Sequence, residues 1–468
     1  MHPLLAAVPV LVAVVLLALR RGAVVSSAAA LAAAVLIAAL AQAFPAAALQ
    51  SAGAYAVLVA EVLLILLFGM VLARMLEAAG AIALIAQALR RAVPSPLAGT
   101  ALVVFGVVPV AESVTGFGIG VTVGVPILRA LGHRPTRAAL LGILGLIAVP
   151  WGALGPGTAV AASLAGLDVD AVGVGSALFN AIPIAVIAAV VIATCRGEGL
   201  AHIAGPSALG AVTLFAGILG ANALIGTPLA GVLGSLLTIL VLLGWFRLRG
   251  GTIEGAPGLP GALAPYGALV AGLLAAQLLA ALVDAPLTRA LAWPPIWLAV
   301  ACAVALRTLP GPEARAAIRP GAARWVPVGA STAGFMLMGW VMSATGMSGD
   351  IGAAVAVLGI APAPLLAAAG AVLTGSNTGA NAMLAPTITS LAAASGTPAV
   401  WAIAASNTAA SFATLATPSR VLMAVQLASD PEAGEAADGA KISRAALLAA
   451  GIAAVAIAGV LVVLTALG

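Results

Sequence analysis

Charge is what this chain has least of. Asp, Glu, Lys and Arg together make up 7% of its 468 residues, against roughly 25% in a soluble domain, so the folded chain cannot cover itself with a water-facing surface. Cysteine is nearly absent too. Cys195 and Cys302 each stand alone in or beside an apolar run, which excludes a disulfide framework and a CxxC metal or redox site. No HExxH or Walker A sequence occurs, and no Ser/His pair falls within an apolar run. An intramembrane enzyme and a nucleotide-driven pump therefore lack their chemistry, and the sequence implies no metal and no cofactor. The net charge of +5 comes from basic residues scattered through short connecting segments. With no Lys/Arg stripe and no interleaved aromatics, nucleic acid is excluded as a partner.

What remains is apolar sequence, 63% of the chain, punctuated by 54 Gly and 29 Pro. Runs near the ~20 residues needed to cross a bilayer recur from end to end. They lie at about 4–19, 24–43, 53–73, 137–160, 172–194, 206–222, 228–246, 262–283, 291–307, 325–345, 398–420 and 445–467. The sequence thus predicts an all-α polytopic membrane protein with about 12 transmembrane helices, seated in a lipid bilayer. The first run has no positive residue before it, and Arg20 and Arg21 follow directly. That is the order of a retained span rather than a cleaved leader. Two further stretches, 97–130 and 362–395, are interrupted at their centres by polar and Gly-rich residues. Each reads as a re-entrant hairpin that returns to the side from which it came. With both termini outside, every Lys and Arg except Arg289 then falls on the inner side, Arg420 included. The positive-inside rule expects such a bias, and turning either hairpin into one full crossing spoils it.

The same layout predicts an inverted repeat in a single transmembrane domain. Residues 53–194 run as span, short amphipathic segment, hairpin, span, span; residues 325–467 repeat that order from the opposite face, and spans between about 206 and 307 link the halves. In each half the span after the hairpin is broken, at Val149-Pro150-Trp151-Gly152 through Gly157 and at Ser406-Asn407-Thr408 through Thr417-Pro418. Inverted repeats with discontinuous helices in matching positions point to a midplane binding site of a secondary transporter.

The hairpin centres carry the candidate chemistry. The first offers Ser113, Thr115, Gly116, Phe117 and Gly118, and the second Gly375, Ser376, Asn377, Thr378 and Asn381, with Asn407 and Thr408 at the later break. Where one half-helix ends and another begins, unpaired backbone N–H groups and a positive dipole end suit a carboxylate. Hydroxyl and amide side chains add hydrogen bonds without bringing a full charge into lipid. Because no Lys or Arg lies inside a predicted span, an anion site is expected to rely on dipoles and neutral donors, which favours a small, singly charged substrate. Two acidic residues lie at membrane depth, Glu61 in the third span and Glu112 at the first hairpin centre. Carboxylates there are costly and mark functional positions, and low-dielectric surroundings suit a group that exchanges a proton. Glu112 is the stronger candidate for proton coupling, with a backbone cap as its structural alternative; Glu61 has no counterpart in the second half.

These residues resemble the lactate permease family, bacterial carriers that take up lactate and glycolate with protons. Glu112-Ser113-Val114-Thr115-Gly116-Phe117-Gly118 is similar to that family's E-G-A-A-G-F-G, and Trp151-Gly152-Ala153-Leu154-Gly155 to its F-G-A-[IL]-G. Thr374 to Asn381 resembles its S-G-S-D-T-x-x-N, and Asn407-Thr408 falls where it has an Asn-Thr pair. The order holds from about 53 to 430. The chain departs from the pattern at Asn377, where the family has Asp, at Gly120, where it has Pro, and at Gly145-Leu146, where it has Asn-Thr. The resemblance implies symport of a small carboxylate with H+ across the plasma membrane, the bacterial inner membrane, as a multi-pass protein. Coupling to Na+, export, or another organic anion stay open beside it.

Overall fold

The computed structural model describes residues 2–467 apart from 42, 45, 82, 83, 86, 89–92, 94, 117, 196, 198, 250–256, 310 and 431–433, and the side chains of 46–51 and 201. Among the described residues the chain is helical with no β-strand. Its helices are α1 (Pro3–Ala18), α2 (Ala23–Leu40), α3 (Ala46–Ala78), α4 (Pro96–Thr115), α5 (Ile119–Ala130), α6 (Pro135–Leu144) and α7 (Pro156–Ala165). They continue as α8 (Val169–Cys195), α9 (Leu200–Leu224), α10 (Thr227–Leu248), α11 (Leu259–Leu282), α12 (Pro286–Leu291), α13 (Pro294–Thr308) and α14 (Gly311–Ala344). The last are α15 (Met347–Val355), α16 (Pro362–Thr374), α17 (Asn377–Ala394), α18 (Ala399–Ala413), α19 (Pro418–Ala428) and α20 (Gly439–Leu467).

Ten helices among the described residues are long and apolar enough to cross a membrane, so the chain is a polytopic α-helical membrane protein. All but one coincide with spans read from hydropathy. The exception is α4, the leading arm of the first hairpin, which is almost wholly enclosed by protein. Of the other expected spans, the first and ninth are helices of 16 and 15 residues, α1 and α13. The span expected at 137–160 is broken: α6 gives way to a 3-10 segment, Leu146–Leu154, bent from it by 50°.

The two interrupted stretches are helical hairpins. In the first, Ser95 accepts the Ala98 N–H at 3.2 Å to start α4, with Pro96 in the first turn where its missing N–H costs nothing. Pro109 cannot donate within α4, and a π turn at Val103–Val107 takes up the irregularity. The arms α4 and α5 lie antiparallel, Val108 and Glu112 packing over Gly120 and Val108 over Gly124. In the second, Gly370 of α16 meets Met383 and Leu384 of α17 in the same way. His133 is buried, its Nε2 2.6 Å from Thr100 Oγ1 at the base of α4.

Lipid tails are as apolar as leucine, so helices here associate through close packing rather than through escape from water. Small residues supply it: a Cβ on Gly217 of α9 would stand 2.8 Å from Gly234 Cα of α10, and one on Gly339 of α14 would stand 2.1 Å from the Ala382 carbonyl oxygen of α17. Large apolar side chains such as Leu4, Leu282 and Leu467 point outward, as a lipid-facing surface requires. Inside are three apolar clusters, one around the first hairpin with α9 and α20, one joining α1, α2 and α14 to the second hairpin, and one joining α3, α11 and α13. They meet along one short stretch: Trp151 belongs to the first, Ala153 and Leu154 to the third, Val160 and Ala161 to the second.

Gly339→Ala should force α14 and α17 apart and cost about 1–3 kcal/mol, the usual penalty of overpacking. Thermal unfolding in detergent checks this, with Gly349→Ala in α15 as a control, since nothing lies within 4 Å of a Cβ there; equal melting temperatures for the two variants would contradict the close approach.

Candidate functional site

The first hairpin turns on a carboxylate. α4 ends at Gly116, whose φ of +68° lies in the left-handed region that a side chain disfavours. Gly118, also left-handed, caps α5. Glu112 is 1% exposed and reaches across the tip: its Oε1 accepts the Gly118 N–H at 3.0 Å and its Oε2 the Gly120 N–H at 3.3 Å. These are first-turn donors of α5 with no helical partner, so Glu112 caps the second arm as well as standing inside the protein. The tip docks on the bent segment. A Cβ on Gly116 would be 2.8 Å from Ala153 Cβ, and Ala153 and Leu154 hold φ of +43° and +68°, a conformation costing non-glycine residues about 1–3 kcal/mol each.

Neutral groups build the second tip. α16 ends at left-handed Gly375, and Ser376 caps α17 by accepting the Gly379 N–H at 3.1 Å. Three amides then interlock. Asn407 Oδ1 accepts from Asn377 Nδ2 at 3.0 Å and from Asn381 Nδ2 at 2.8 Å, while Asn407 Nδ2 donates to Thr158 Oγ1 and Ser176 Oγ at 3.0 and 2.9 Å. Asn381 Nδ2 also reaches the Gly157 carbonyl at 3.1 Å. Thr408 donates to the Ser176 and Ala404 carbonyls. The network ties the second hairpin and α18 to α7 and α8, which follow the first hairpin in the chain.

A cavity of about 30 Å³ lies between the tips, lined by Glu112, Gly152, Gly157, Gly375 to Thr378 and Arg420. Helices α7 and α17 begin at it, through Pro156 and Gly157 and through Asn377 and Thr378, so two positive dipole ends lie beside one space. Arg420 adds a full charge. It is 6% exposed, its Nη1 donates to Thr414 Oγ1, and its Nη2 lies 3.9 Å from Glu112 Oε1. Its side chain lies over Gly118, where a Cβ would stand 3.1 Å from Nε.

Arg420 overturns two expectations. It is not one of the inner-loop cations, and the cavity does not rest on dipoles and neutral donors alone. Thr417 and Pro418 break the chain after α18, and the third residue of the new helix then turns back into the protein. The break is visible in the sequence; the direction in which it sends Arg420 is not.

Of the residues proposed from sequence, Glu112, Gly375, Ser376, Asn377 and Thr378 line the cavity. Asn381, Asn407 and Thr408 stand behind Asn377 in the amide network. Gly118 holds the Glu112 carboxylate, and Gly116 makes the turn. Thr115 donates to the Ala111 carbonyl within its own helix. Ser113 is buried beside Gly231 of α10, its hydroxyl without a hydrogen-bond partner among the described residues. Phe117 lies outside the described residues. Glu61 is half-buried beside the Trp293 side chain and does not line the cavity between the tips. Asn222 of α9 accepts the Trp151 indole N–H at 3.2 Å.

A polytopic helical protein whose broken helices begin beside a cavity that also holds a buried ion pair has the build of a membrane transporter. The model of the L-lactate permease family matches residues 2–250, more than half the chain, and the chain belongs to that family. The matched stretch holds the first hairpin and the bent segment, and the second hairpin and Arg420 follow it. No curated protein matches the chain.

Asn407→Ala should leave the buried Asn377 amide N–H short of an acceptor, at about 1–3 kcal/mol for an unsatisfied group, while Asn381 keeps the Gly157 carbonyl and Asn377 Oδ1. The expected result is a lower melting temperature and faster thiol labelling at Ser376→Cys in the Asn407→Ala background than in Ser376→Cys alone. Unchanged labelling and melting would show that the network does not hold the second tip.

Proposed function

We propose that the protein carries a small monocarboxylate of the lactate or glycolate kind across the plasma membrane, the bacterial inner membrane, together with a proton. The convergence of Glu112, Arg420 and the second hairpin tip on one cavity carries this reading. A carboxylic acid anion needs a cation and N–H donors to leave water, and the cavity has both. A coupled proton needs a titratable group within reach, and Glu112 is there. One guanidinium suits one carboxylate, which favours a monocarboxylate over a dicarboxylate. Family membership points to the same class of cargo, and a carrier needs no reaction chemistry at this site.

In this reading the halves at about 53–194 and 325–467 work as an inverted repeat joined by 206–307, each supplying one tip. The cavity of about 30 Å³ has room for about two water molecules, so loading requires the tips to separate. Alternating access then follows from one set of elements moving against the other, opening the space between the tips to each side in turn.

Uptake of labelled lactate and glycolate into proteoliposomes, under imposed pH or Na+ gradients, tests the reading. Accumulation is expected with an acidic exterior and unchanged by a Na+ gradient. No uptake of either acid under any gradient would overturn the cargo; uptake driven by Na+ alone would replace the coupling ion.

A further inference from the structure

The charges at the cavity do more than mark a site. On that reading of the cavity as a carboxylate site, we propose that Arg420 is the receptor for the substrate carboxylate, and that the Glu112–Arg420 pair enforces one proton per carboxylate by keeping the moving site neutral.

The geometry is that of a pair able to exchange partners. The 3.9 Å between Arg420 Nη2 and Glu112 Oε1 is too long for a hydrogen bond, so the two charges compensate each other without being locked together. Each has other anchors. Glu112 holds the Gly118 and Gly120 N–H groups, and Arg420 holds Thr414. Both line the cavity, so a carboxylate arriving there meets the guanidinium directly. Among the described residues, no other charged side chain lines the cavity. On the elements packed against Glu112, the titratable side chains are Tyr55, Glu61, Arg74 and Glu77 of α3, Arg129 of α5 and Arg247 of α10. Those packed against Arg420 carry Arg137 on α6 and Lys441 and Arg444 on α20. Among the described residues, none of these lines the cavity.

The states then follow by counting charge. In the empty site, ionised Glu112 cancels Arg420. A proton on the Glu112 carboxyl group leaves Arg420 uncompensated, and an incoming carboxylate cancels it in turn. Empty and fully loaded sites are both neutral. A site holding the proton alone carries one positive charge, and a site holding the anion alone carries one negative charge. Uncompensated charge is strongly disfavoured away from water, so only the two neutral forms move readily between the faces. Coupling thus arises from electrostatics at a single pair, with transport predicted to be electroneutral.

The test uses full-length protein in two formats. The first is thermal stabilisation in detergent by acetate, the bare carboxylate, across a pH range in which acetate stays ionised. In the wild type, stabilisation should grow as pH falls, because protonating Glu112 frees Arg420. Glu112→Gln should be stabilised equally at every pH. Arg420→Gln should need at least about tenfold more acetate, the loss expected for a charge-assisted contact, and Arg420→Lys should recover part of it. If Arg420→Gln fails to fold because Glu112 is left unpaired, the Glu112→Gln/Arg420→Gln double variant removes both charges and must show the same weak, pH-independent response.

The second format is transport in proteoliposomes. Wild-type uptake should ignore an imposed membrane potential. Glu112→Gln should lose net uptake, whose empty form is charged, far more than substrate exchange, whose loaded form is neutral. Acetate stabilisation that is independent of pH in the wild type, or equal in Arg420→Gln and wild type, would overturn the role of the pair. So would voltage-driven wild-type uptake, or loss of exchange together with net uptake in Glu112→Gln. If the acetate pattern holds and neither lactate nor glycolate is carried, the cargo reading fails while the pair stands.

Discussion

Glu112 and Arg420 sit where the protein is least able to tolerate a charge alone. Inside a lipid-embedded bundle each ion carries a desolvation cost of several kcal/mol that only a partner can offset. The Glu112 carboxylate meets that constraint on three sides at once: it caps α5 through Gly118 and Gly120, and it compensates Arg420. The turn of the first hairpin depends on it, since those N–H groups would otherwise be buried without an acceptor. The position of α19 depends on it too, because its first turn carries Arg420 inward. A single carboxylate therefore links a local backbone requirement to the contact between distant parts of the chain.

The second tip solves the same problem without ions. Asn407 uses its whole amide, accepting from two asparagines and donating to two hydroxyls, and it thereby fixes the direction in which Asn377 points. An Asp at 377, the residue in the family pattern that this segment resembles, would set a carboxylate oxygen against Asn407 Oδ1. Two acceptors face to face repel, and turning the Asn407 amide would in turn set its oxygen toward Thr158 and Ser176. Thr158 already donates to the Pro150 carbonyl, so it has no second proton to give. In this chain Asn377 is thus consistent with its neighbours, and the titratable chemistry lies on the first tip alone.

Much of this arrangement was legible in the sequence, for physical reasons that also mark its limit. The hairpins stood out because lipid forbids unpaired backbone, so polar and Gly-rich breaks within apolar stretches have few uses. The stretches read at 97–130 and 362–395 correspond closely to α4 with α5 and α16 with α17. Glu112 stood out because an acid in such a break is expensive. Arg420 did not, because a cation at the end of an apolar run is what the membrane interface ordinarily attracts. Distinguishing the two cases needs the direction in which α19 leaves the Thr417-Pro418 break, and that is set by packing against α5 and α6, remote in sequence. Glu61 stood out for the same reason as Glu112, yet it does not line the cavity. Its apolar setting drew attention, yet Trp293, the side chain it meets, comes from a distant linking segment.

Strain completes the picture of how the two tips are held. Ala153 and Leu154 occupy left-handed conformations that glycine would adopt freely, and they do so where all three apolar clusters meet. Burial there offsets the strain, since both side chains are almost fully enclosed. The same segment takes the first tip through Gly116, and it leads directly into Pro156 and Gly157, which line the cavity beside Asn377. Any motion that parts the tips must therefore carry this segment along or break its contact with Gly116. A stretch already held away from its preferred backbone loses less by shifting than a relaxed helix would.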